Sequence, residues 1–233
     1  LPIVVTIALA LCIRRMVKIN VLIHKLSTAE SLGGTDVICS DKTGTLTTNK
    51  MTVQKVHAGE KAFNVTGTGY RPRGDFLIED EIIEPCADPD LTMALRIGAL
   101  CNNARLFQVE DSDKWEIRGD PTEAALIVAA TKADCFKETL EKEYPRVDEI
   151  PFNSATKMMS TFNRERRDTI TVFTKGAPEI ILSQCQSIQI NGEIHELTPE
   201  KRQAILESNR EMAGKALRVL GVAYQIIPED RVE

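Results

Sequence analysis

The segment "VICSDKTGTLTTNKMTV", residues 37–53, places an aspartate directly after a short apolar run. The run predicts a buried strand over 36–40, with Asp41 at its carboxyl end. In open α/β sheets, ligands bind beyond the carboxyl ends of the strands. A carboxylate at that position can attack phosphorus and form an aspartyl phosphate. The segment therefore predicts a site for phosphoryl transfer on an α/β sheet.

The residues that follow Asp41 are small and rich in hydroxyl groups. Gly44 permits a tight turn. The hydroxyls of Thr43 and Thr45, together with backbone N–H groups, can bind phosphoryl oxygens. Magnesium would offset the repulsion between the carboxylate and the phosphate. These residues strengthen the prediction of a phosphoryl-transfer site.

The composition of the 233 residues is that of an ordinary globular protein, with 42% hydrophobic and 27% charged residues. A chain of this length can form one large domain or two modest ones. The formal net charge of −5 does not suggest a nucleic-acid-binding surface. The six cysteines contain no C-x-x-C pair, which favours a reduced, intracellular protein over a disulfide framework or a zinc site.

The first residues, "LPIVVTIALALCI", are almost wholly apolar and are followed by "RRMVK". A membrane-spanning helix needs roughly 20 such residues, so this run alone is too short. Leu1-Pro2 resembles the cut edge of a longer chain. If the run is the end of a membrane helix, the basic residues Arg14, Arg15 and Lys18 mark its cytoplasmic side. The alternative is a buried core helix.

Farther along, hydrophobic periodicity and turn residues predict alternating strands and helices. Over 21–34 we expect a short strand and then a helical turn. Asp120, Pro121 and Glu123 have the spacing of an N-cap, a first helical residue and a capping-box partner. The other predicted helices cover 90–104, 177–185 and 199–215, and the predicted strands 51–59, 61–67, 114–119, 146–152, 157–164, 168–176 and 217–227, with a loop at 66–75 and a hairpin turn at Asn191-Gly192.

D-K-T-G-T-L-T, residues 41–47, matches all seven positions of the phosphorylation signature of P-type ATPases. The opening residues also resemble the end of the fourth transmembrane helix of type II cation pumps. The resemblance implies that Asp41 is the phosphate acceptor, that Lys42, Thr43, Gly44 and Thr45 form its loop, and that Asp41 and Thr43 hold Mg²⁺. Soluble phosphatases of the related haloacid-dehalogenase-like superfamily carry a second aspartate where this chain has Thr43. Because threonine cannot take a proton from water at neutral pH, a long-lived aspartyl phosphate is expected.

Two further segments resemble the nucleotide-binding domain of the same family. "TKGAPE" contributes Lys175, Gly176 and Ala177, which the resemblance places beside the adenine of ATP. "PFNSATKMMS" contributes Phe152 for stacking and Lys157 for charge. The family's calcium pumps have an arginine where this chain has Ser154. The plainer alternatives are a strand–turn–helix junction for Lys175 and core packing for Phe152.

"RGDPTEAAL" resembles the family segment whose glutamate binds the adenine amino group, which implies that role for Glu123. The same residue fits a capping box, and both roles can hold through different oxygens. Arg218, in "ALRVLGVAY", matches the family's arginine near the ribose and phosphates. The alternative for Arg218 is an ordinary surface residue.

The resemblance spans the whole chain and implies the large cytosolic loop of a type II P-type cation ATPase, of the Ca²⁺ class. We expect an α+β fold: an antiparallel-sheet nucleotide-binding domain flanked by helices over 51–233, preceded by part of a haloacid-dehalogenase-like α/β phosphorylation domain over 21–50, with membrane helix and stalk over 1–20. ATP, Mg²⁺ and a transported cation are the implied ligands, the membrane is reached through further segments, and nucleic acid is not a partner. A soluble phosphatase and a non-catalytic ATP-binding module are the alternatives.

Overall fold

A computed structural model describes residues 2–166 and 169–228. The chain divides into two compact units, residues 1–49 and 50–233. All strand pairs of the described residues are antiparallel, and helices accompany the sheets. The expected α+β fold with antiparallel sheets is therefore confirmed.

The first unit contains two helices and one short turn of π-helix. The helices are α1 (Pro2–Val17) and α2 (Leu26–Gly33), and the π turn covers Lys42–Leu46. Neither the predicted short strand before α2 nor the predicted strand over 36–40 is present, because these residues pair with no other strand of the described chain. Val37 and Ile38 are 76% and 84% exposed. A buried strand needs neighbours for its backbone N–H and C=O groups, and 36–40 has none here, so the prediction that Asp41 ends a buried strand is wrong for this structure.

The second unit holds the remaining elements. Its strands are β1 (Lys55–Ala58), β2 (Lys61–Val65), β3 (Phe76–Ile78), β4 (Glu81–Ile83), β5 (Arg105–Gln108), β6 (Trp115–Arg118), β7 (Arg146–Asn153), β8 (Met158–Arg166), β9 (Thr169–Gly176), β10 (Ser187–Ile190), β11 (Glu193–Glu196) and β12 (Gly221–Pro228). Its α-helices are α3 (Pro89–Leu100), α4 (Pro121–Lys132), α5 (Lys137–Glu143), α6 (Pro178–Gln184) and α7 (Pro199–Gly214). A single turn of 3-10 helix covers Pro85–Ala87.

The strands form two four-stranded sheets, in the orders β1-β2-β3-β4 and β12-β9-β8-β7, and two hairpins, β5-β6 and β10-β11. Helix α3 contacts β1, β9, β12, α4 and α5, so it lies at the centre of the unit. The largest fully buried side chains of the core include Phe63, Phe76, Leu91 and Phe173. Burial of such side chains supplies most of the stability of a domain.

Most predicted elements of the second unit are confirmed, and the differences are local. Strands β3, β4 and β5 and helix α5 were not predicted, because segments of three to seven residues carry little periodicity. Helix α3 ends at Leu100, short of the predicted 104. Asn102 explains the early end: its side chain donates to Gly98 O and accepts from Ala104 N, which offers the backbone an alternative to the helix. Strand β12 begins later than predicted, at Gly221, and Asp168 of the predicted 168–176 strand lies outside the described residues.

Candidate functional site

Glu123 lies in the first turn of α4, whose start is built as the sequence predicts. The Asp120 carboxylate accepts hydrogen bonds from the backbone N–H groups of Thr122 and Glu123, at 2.7 and 3.3 Å, and Pro121 occupies the first helical position. Burial alone would raise the pKa of the Asp120 carboxyl, but these hydrogen bonds and the charge of Arg218 together lower it below its usual value. Asp120 is therefore a charged N-cap that fixes the direction of α4.

The Glu123 carboxylate does not complete the predicted capping box. Its Oε1 pairs with Lys175 Nζ at 2.5 Å, and its Oε2 accepts a hydrogen bond from the Asn103 backbone N–H at 3.0 Å. The side chains of Lys175 and Glu123 are 8% and 17% exposed. The carboxylate is thus held by partners from two other segments of the chain rather than by its own N-cap.

Lys175 lies near the end of β9, between Met159 of β8 and Val222 of β12. Met159 and Val222 both belong to the hydrophobic core or pack against it. A cation in such surroundings is stable when it is paired and hydrogen-bonded. Lys175 is consequently not a solvated surface charge, and the structure brings it together with Glu123, another residue that the sequence assigned to the adenine.

Gly176 is required by the packing of the sheet itself. A Cβ atom at this position would overlap the carbonyl oxygen of Lys157 and crowd Met158. The next residue, Ala177, donates its N–H to the same Lys157 carbonyl at 3.0 Å. The close approach of backbone at Gly176 is therefore made by the residue that immediately precedes β8.

Phe152 and Lys157 lie on either side of the turn that connects β7 to β8. Phe152 is 62% exposed, so it does not pack in the core, and Lys157 is exposed as well. Met158 pairs with Gly176, and the Lys157 carbonyl accepts a hydrogen bond from the Ala177 N–H at 3.0 Å, so the Lys157 side of this turn lies directly beside the end of β9. Asn153, on the other side of the turn, is two strands away from β9, a distance of about 10 Å. An exposed aromatic ring and an exposed cation thus lie near the Glu123–Lys175 pair.

Arg218 is exposed and precedes β12, whose first residue, Gly221, pairs with Gly176. Its charge acts on Asp120, which places it near the start of α4. The residues that the sequence assigned to the nucleotide therefore lie at one end of the β12-β9-β8-β7 sheet. They are Glu123, Phe152, Lys157, Lys175, Gly176, Ala177 and Arg218.

Three residues near this end of the sheet were not predicted. The Asn103 N–H bonds to Glu123, and the side chains of Lys137 and Arg146 bond to carbonyls of the same loop. Lys137 belongs to α5, an element that the sequence did not reveal, and Asn103 acts through its backbone. Neither Lys137 nor Asn103 belongs to a sequence motif that could have identified it.

A cavity of about 550 Å³ lies among α3, α6, α7, β10 and β12. None of the residues predicted to bind the nucleotide lines it. Polar groups on its wall are already paired within the protein, such as Tyr224, which donates to Gln189, and Asn209, which donates to Glu179. The cavity thus offers few free polar groups for the orientation of a ligand.

The segment around Asp41 belongs to the first unit. Asp41, Lys42, Gly44 and Thr45 are exposed, and Gly44 has a φ of 75°, which fits the predicted tight turn. The Thr47 N–H and hydroxyl both donate to the Lys42 carbonyl, which closes the π turn. The Thr43 side chain lies outside what the structure describes, so its predicted contact with Mg²⁺ stays a prediction.

The described residues contain no group of three or more His, Cys, Asp or Glu side chains placed to hold a metal ion. Proteins commonly bind Mg²⁺ through one or two carboxylates, with waters and substrate phosphates as further ligands. Asp41 can supply one such carboxylate.

The comparison with protein families identifies residues 90–233 as P-type ATPase, cytoplasmic domain N. Because the match covers more than half of the chain, the chain belongs to the P-type ATPase family. It is 39% identical over 227 residues to a calcium-transporting ATPase of Bacillus subtilis, a match that covers 97% of this chain and 25% of that relative.

Two other relatives show the same pattern. The chain is 40% identical over 232 residues to the cation-transporting ATPase pma1 of Synechocystis, covering 97% of this chain and 25% of the relative. It is 36% identical over 227 residues to the calcium-transporting ATPase type 2C member 1 of Bos taurus, covering 96% and 23%. The chain thus spans about a quarter of the length of the curated relatives it matches. In the part of the chain that the structure describes, no helix has both the length and the apolarity to cross a bilayer.

Proposed function

We propose that this chain is the ATP-binding and phosphorylated part of an ion-pumping P-type ATPase, of the Ca²⁺ class. Residues 51–233 are its nucleotide-binding domain, 21–50 the first part of a haloacid-dehalogenase-like phosphorylation domain, and 1–20 the end of a membrane helix and its stalk. The segment is cytoplasmic and belongs to a membrane protein. The observation that carries the proposal is the Glu123–Lys175 pair at one end of the sheet, beside an exposed ring and exposed cations.

Each of these groups matches one part of ATP. The Glu123 carboxylate accepts a hydrogen bond from the amino group of adenine. This bond is stronger than one between neutral groups, because the acceptor is charged. The exposed ring of Phe152 offers a face for stacking. Lys157 and Arg218, both exposed cations, attract the phosphates. Lys175 borders the adenine and orients the Glu123 carboxylate through their ion pair.

In the phosphoryl-transfer step, a carboxylate oxygen of Asp41 attacks the γ-phosphorus of ATP. The bond between this phosphorus and the β–γ bridging oxygen breaks, and ADP leaves with the electron pair of that bond. Asp41 becomes an aspartyl phosphate, whose later hydrolysis is coupled to the movement of a cation. Asp41 and Thr43 are the residues that would hold Mg²⁺, which would offset the repulsion between the carboxylate and the phosphate.

The test of the nucleotide site is the substitution Glu123→Gln, measured as ATP affinity by calorimetry on the chain. Losing the charge of the acceptor weakens ATP binding by about tenfold, since charge-assisted hydrogen bonds contribute about 1.5–3 kcal/mol. GTP carries a carbonyl where ATP carries the amino group, so GTP binds the parent chain less tightly, and this gap narrows in Glu123→Gln. The matched control is Glu193→Gln on β11, whose side chain is 82% exposed; it leaves both affinities unchanged.

A Glu123→Gln chain that melts markedly earlier but still binds ATP as tightly as the parent contradicts the adenine role. A parent chain that does not bind ATP at all contradicts the nucleotide site as a whole.

The test of the phosphorylation step is Asp41→Asn in the full-length enzyme, labelled with ATP that carries a radioactive γ-phosphate. The parent forms acid-stable, hydroxylamine-sensitive phosphoprotein, and Asp41→Asn forms none, because an amide cannot act as this nucleophile. Labelling that persists in Asp41→Asn contradicts the assignment. ATP binding without any labelling of the parent favours a non-catalytic ATP-binding module.

A further inference from the structure

The loop that connects α3 to β5 is held by two cations that lie outside the nucleotide residues. Lys137 Nζ donates hydrogen bonds to the carbonyls of Asn102 and Ala104, at 2.6 and 2.9 Å. Arg146 Nη2 donates to the carbonyls of Leu100 and Asn102, at 2.7 and 2.8 Å. The last carbonyl of α3 and the carbonyls of the loop after it thus accept hydrogen bonds from charged donors.

The Lys137 side chain that binds this loop is buried. The residue is only 2% exposed, and its nearest carboxylate oxygen, Glu141 Oε1, is 3.9 Å away. Burial, and then the nearby positive charge of Arg105, lower the pKa of Lys137 to about 8; Arg146 acts in the same direction, while Glu141 and Glu123 act against it. A buried ammonium group of this kind is stable only where acceptors such as these carbonyls take hydrogen bonds from it.

The residue between the two carbonyls that bind Lys137 is Asn103, whose backbone N–H donates to Glu123 Oε2. The other oxygen of Glu123 pairs with Lys175. The direction of the Asn103 N–H, and through it the orientation of the carboxylate, consequently depends on where the two neighbouring carbonyls are held.

We propose that Lys137 is a positioning residue for the nucleotide site. By binding the carbonyls of Asn102 and Ala104, it directs the Asn103 N–H toward Glu123 and so orients the Glu123 carboxylate for binding adenine. The proposal rests on the proposed adenine role of Glu123. It adds a residue that does not touch the nucleotide but controls how well Glu123 binds it.

If Lys137 positions Glu123, the ATP affinity and the free energy of unfolding respond to pH in opposite directions. Because the pKa of Lys137 is about 8 in the folded chain, against 10.5 for an ordinary lysine, the unfolded chain binds the proton more tightly in that range. The free energy of unfolding from this group therefore rises as pH rises above about 8. Positioning acts the other way, since an amine that has lost its charge makes weaker hydrogen bonds to the two carbonyls. ATP affinity falls over the same range.

The experiment measures ATP affinity and urea unfolding of the chain, near pH 7.5 and near pH 9, for the parent, Lys137→Met and Lys132→Met. Lys132 is the matched control, because its Nζ also donates to two carbonyls, those of Thr66 and Gly67, and its pKa is likewise lowered by burial. At the lower pH, Lys137→Met weakens ATP binding by about fivefold, within the range of couplings seen in shared hydrogen-bond networks. Lys132→Met leaves the affinity unchanged.

Between the two pH values the parent loses ATP affinity, and Lys137→Met does not. Over the same range the free energy of unfolding changes in the direction of greater stability by more in the parent than in Lys137→Met, because only the parent has the contribution of Lys137. Combined with Glu123→Gln, the Lys137→Met substitution adds little further loss of affinity, because both act through one carboxylate. Additive losses, or an equal loss in Lys132→Met, overturn the proposal. If Lys137→Met does not fold, the parent decides alone: an affinity that does not fall with pH overturns the positioning role.

The outcomes separate this inference from the proposed function. If the parent does not bind ATP, or Glu123→Gln binds ATP like the parent, the adenine site itself is wrong. If Glu123→Gln weakens binding and Lys137→Met does not, the site stands and only the positioning role is wrong.

Discussion

The two units of the chain differ in how far their own residues stabilise them. In residues 50–233, side chains such as Phe63, Leu91 and Phe173 are fully buried in a common core. In the described part of residues 1–49, Ala29 is the one buried side chain, at 9% exposed, while Val37 and Ile38 are largely exposed.

The most specific motif lies in the less structured unit. The seven residues 41–47 identify the family more sharply than any other segment, yet around them the first unit offers one π turn and few buried neighbours. The residues assigned to the nucleotide carry weaker motifs but lie at one end of a sheet that packs against a hydrophobic core. The specificity of a motif and the stability of its surroundings are thus separate properties of a sequence.

The largest expected effect compares a buried side chain of the second unit with an exposed one of the first. Phe173→Ala leaves a cavity in the core and lowers the free energy of unfolding by about 3–5 kcal/mol. Ile38→Ala, at a residue that is 84% exposed, changes it by less than about 0.5 kcal/mol. Urea unfolding followed by circular dichroism measures both. A large loss in Ile38→Ala would show that 36–40 is buried in solution and would remove the contrast between the units.

Two glycines give a second comparison. In Gly176→Ala, the new methyl group overlaps the Lys157 carbonyl, and the forced shift of the strands costs about 1–3 kcal/mol. Gly33→Ala, in the last turn of α2, meets no atom within 4 Å and leaves the main unfolding transition unchanged. Thermal melts of the two variants test this difference. Equal melting temperatures would mean that the strands around Gly176 move apart more easily than the structure indicates.

Two aspartates give the smallest effect. Asp90, which is 4% exposed, accepts hydrogen bonds from the backbone N–H groups of Asn191 and Gly192, at 2.6 and 3.0 Å, whereas Asp41 is exposed. Asp90→Asn lowers the free energy of unfolding by about 1 kcal/mol near neutral pH, since the charged acceptor is lost. Asp41→Asn leaves it within about 0.5 kcal/mol of the parent.

The same comparison predicts a pH dependence. Burial alone would raise the pKa of Asp90, but the bonds from Gly192, Gln189 and Asn191 and the charge of Lys61 lower it below the ordinary aspartate value of 3.8. A carboxyl whose pKa is depressed by folding stabilises the folded chain above its unfolded pKa and loses this contribution as the pH falls through the folded value. Urea unfolding at several pH values below 5 should therefore show a smaller acid loss in Asp90→Asn than in the parent. An equal acid loss would exclude Asp90 as its source.

Much of the second unit was predictable from local patterns. The Asp120-Pro121 start of α4, the hairpin turn at Asn191-Gly192 and the β8–β9 strands follow from capping, turn chemistry and periodicity, which act over a few residues. Short elements such as α5 were missed, because seven residues carry too little pattern to distinguish a helix from a loop. The strand over 36–40 was wrongly predicted, since an apolar run favours a strand but its neighbours decide whether the strand forms.

The sequence by itself determined the family and the identity of Glu123, Phe152 and Lys175 as residues of interest, because residue types and their spacing are written in the chain. Only the tertiary structure decided what these residues touch. Glu123 bonds to Lys175, 52 positions away, and to the Asn103 backbone rather than to its own N-cap, and Gly176 is needed by the strand beside it. Such contacts depend on the packing of segments far apart in sequence, and a buried carboxylate takes whichever donors that packing brings to it.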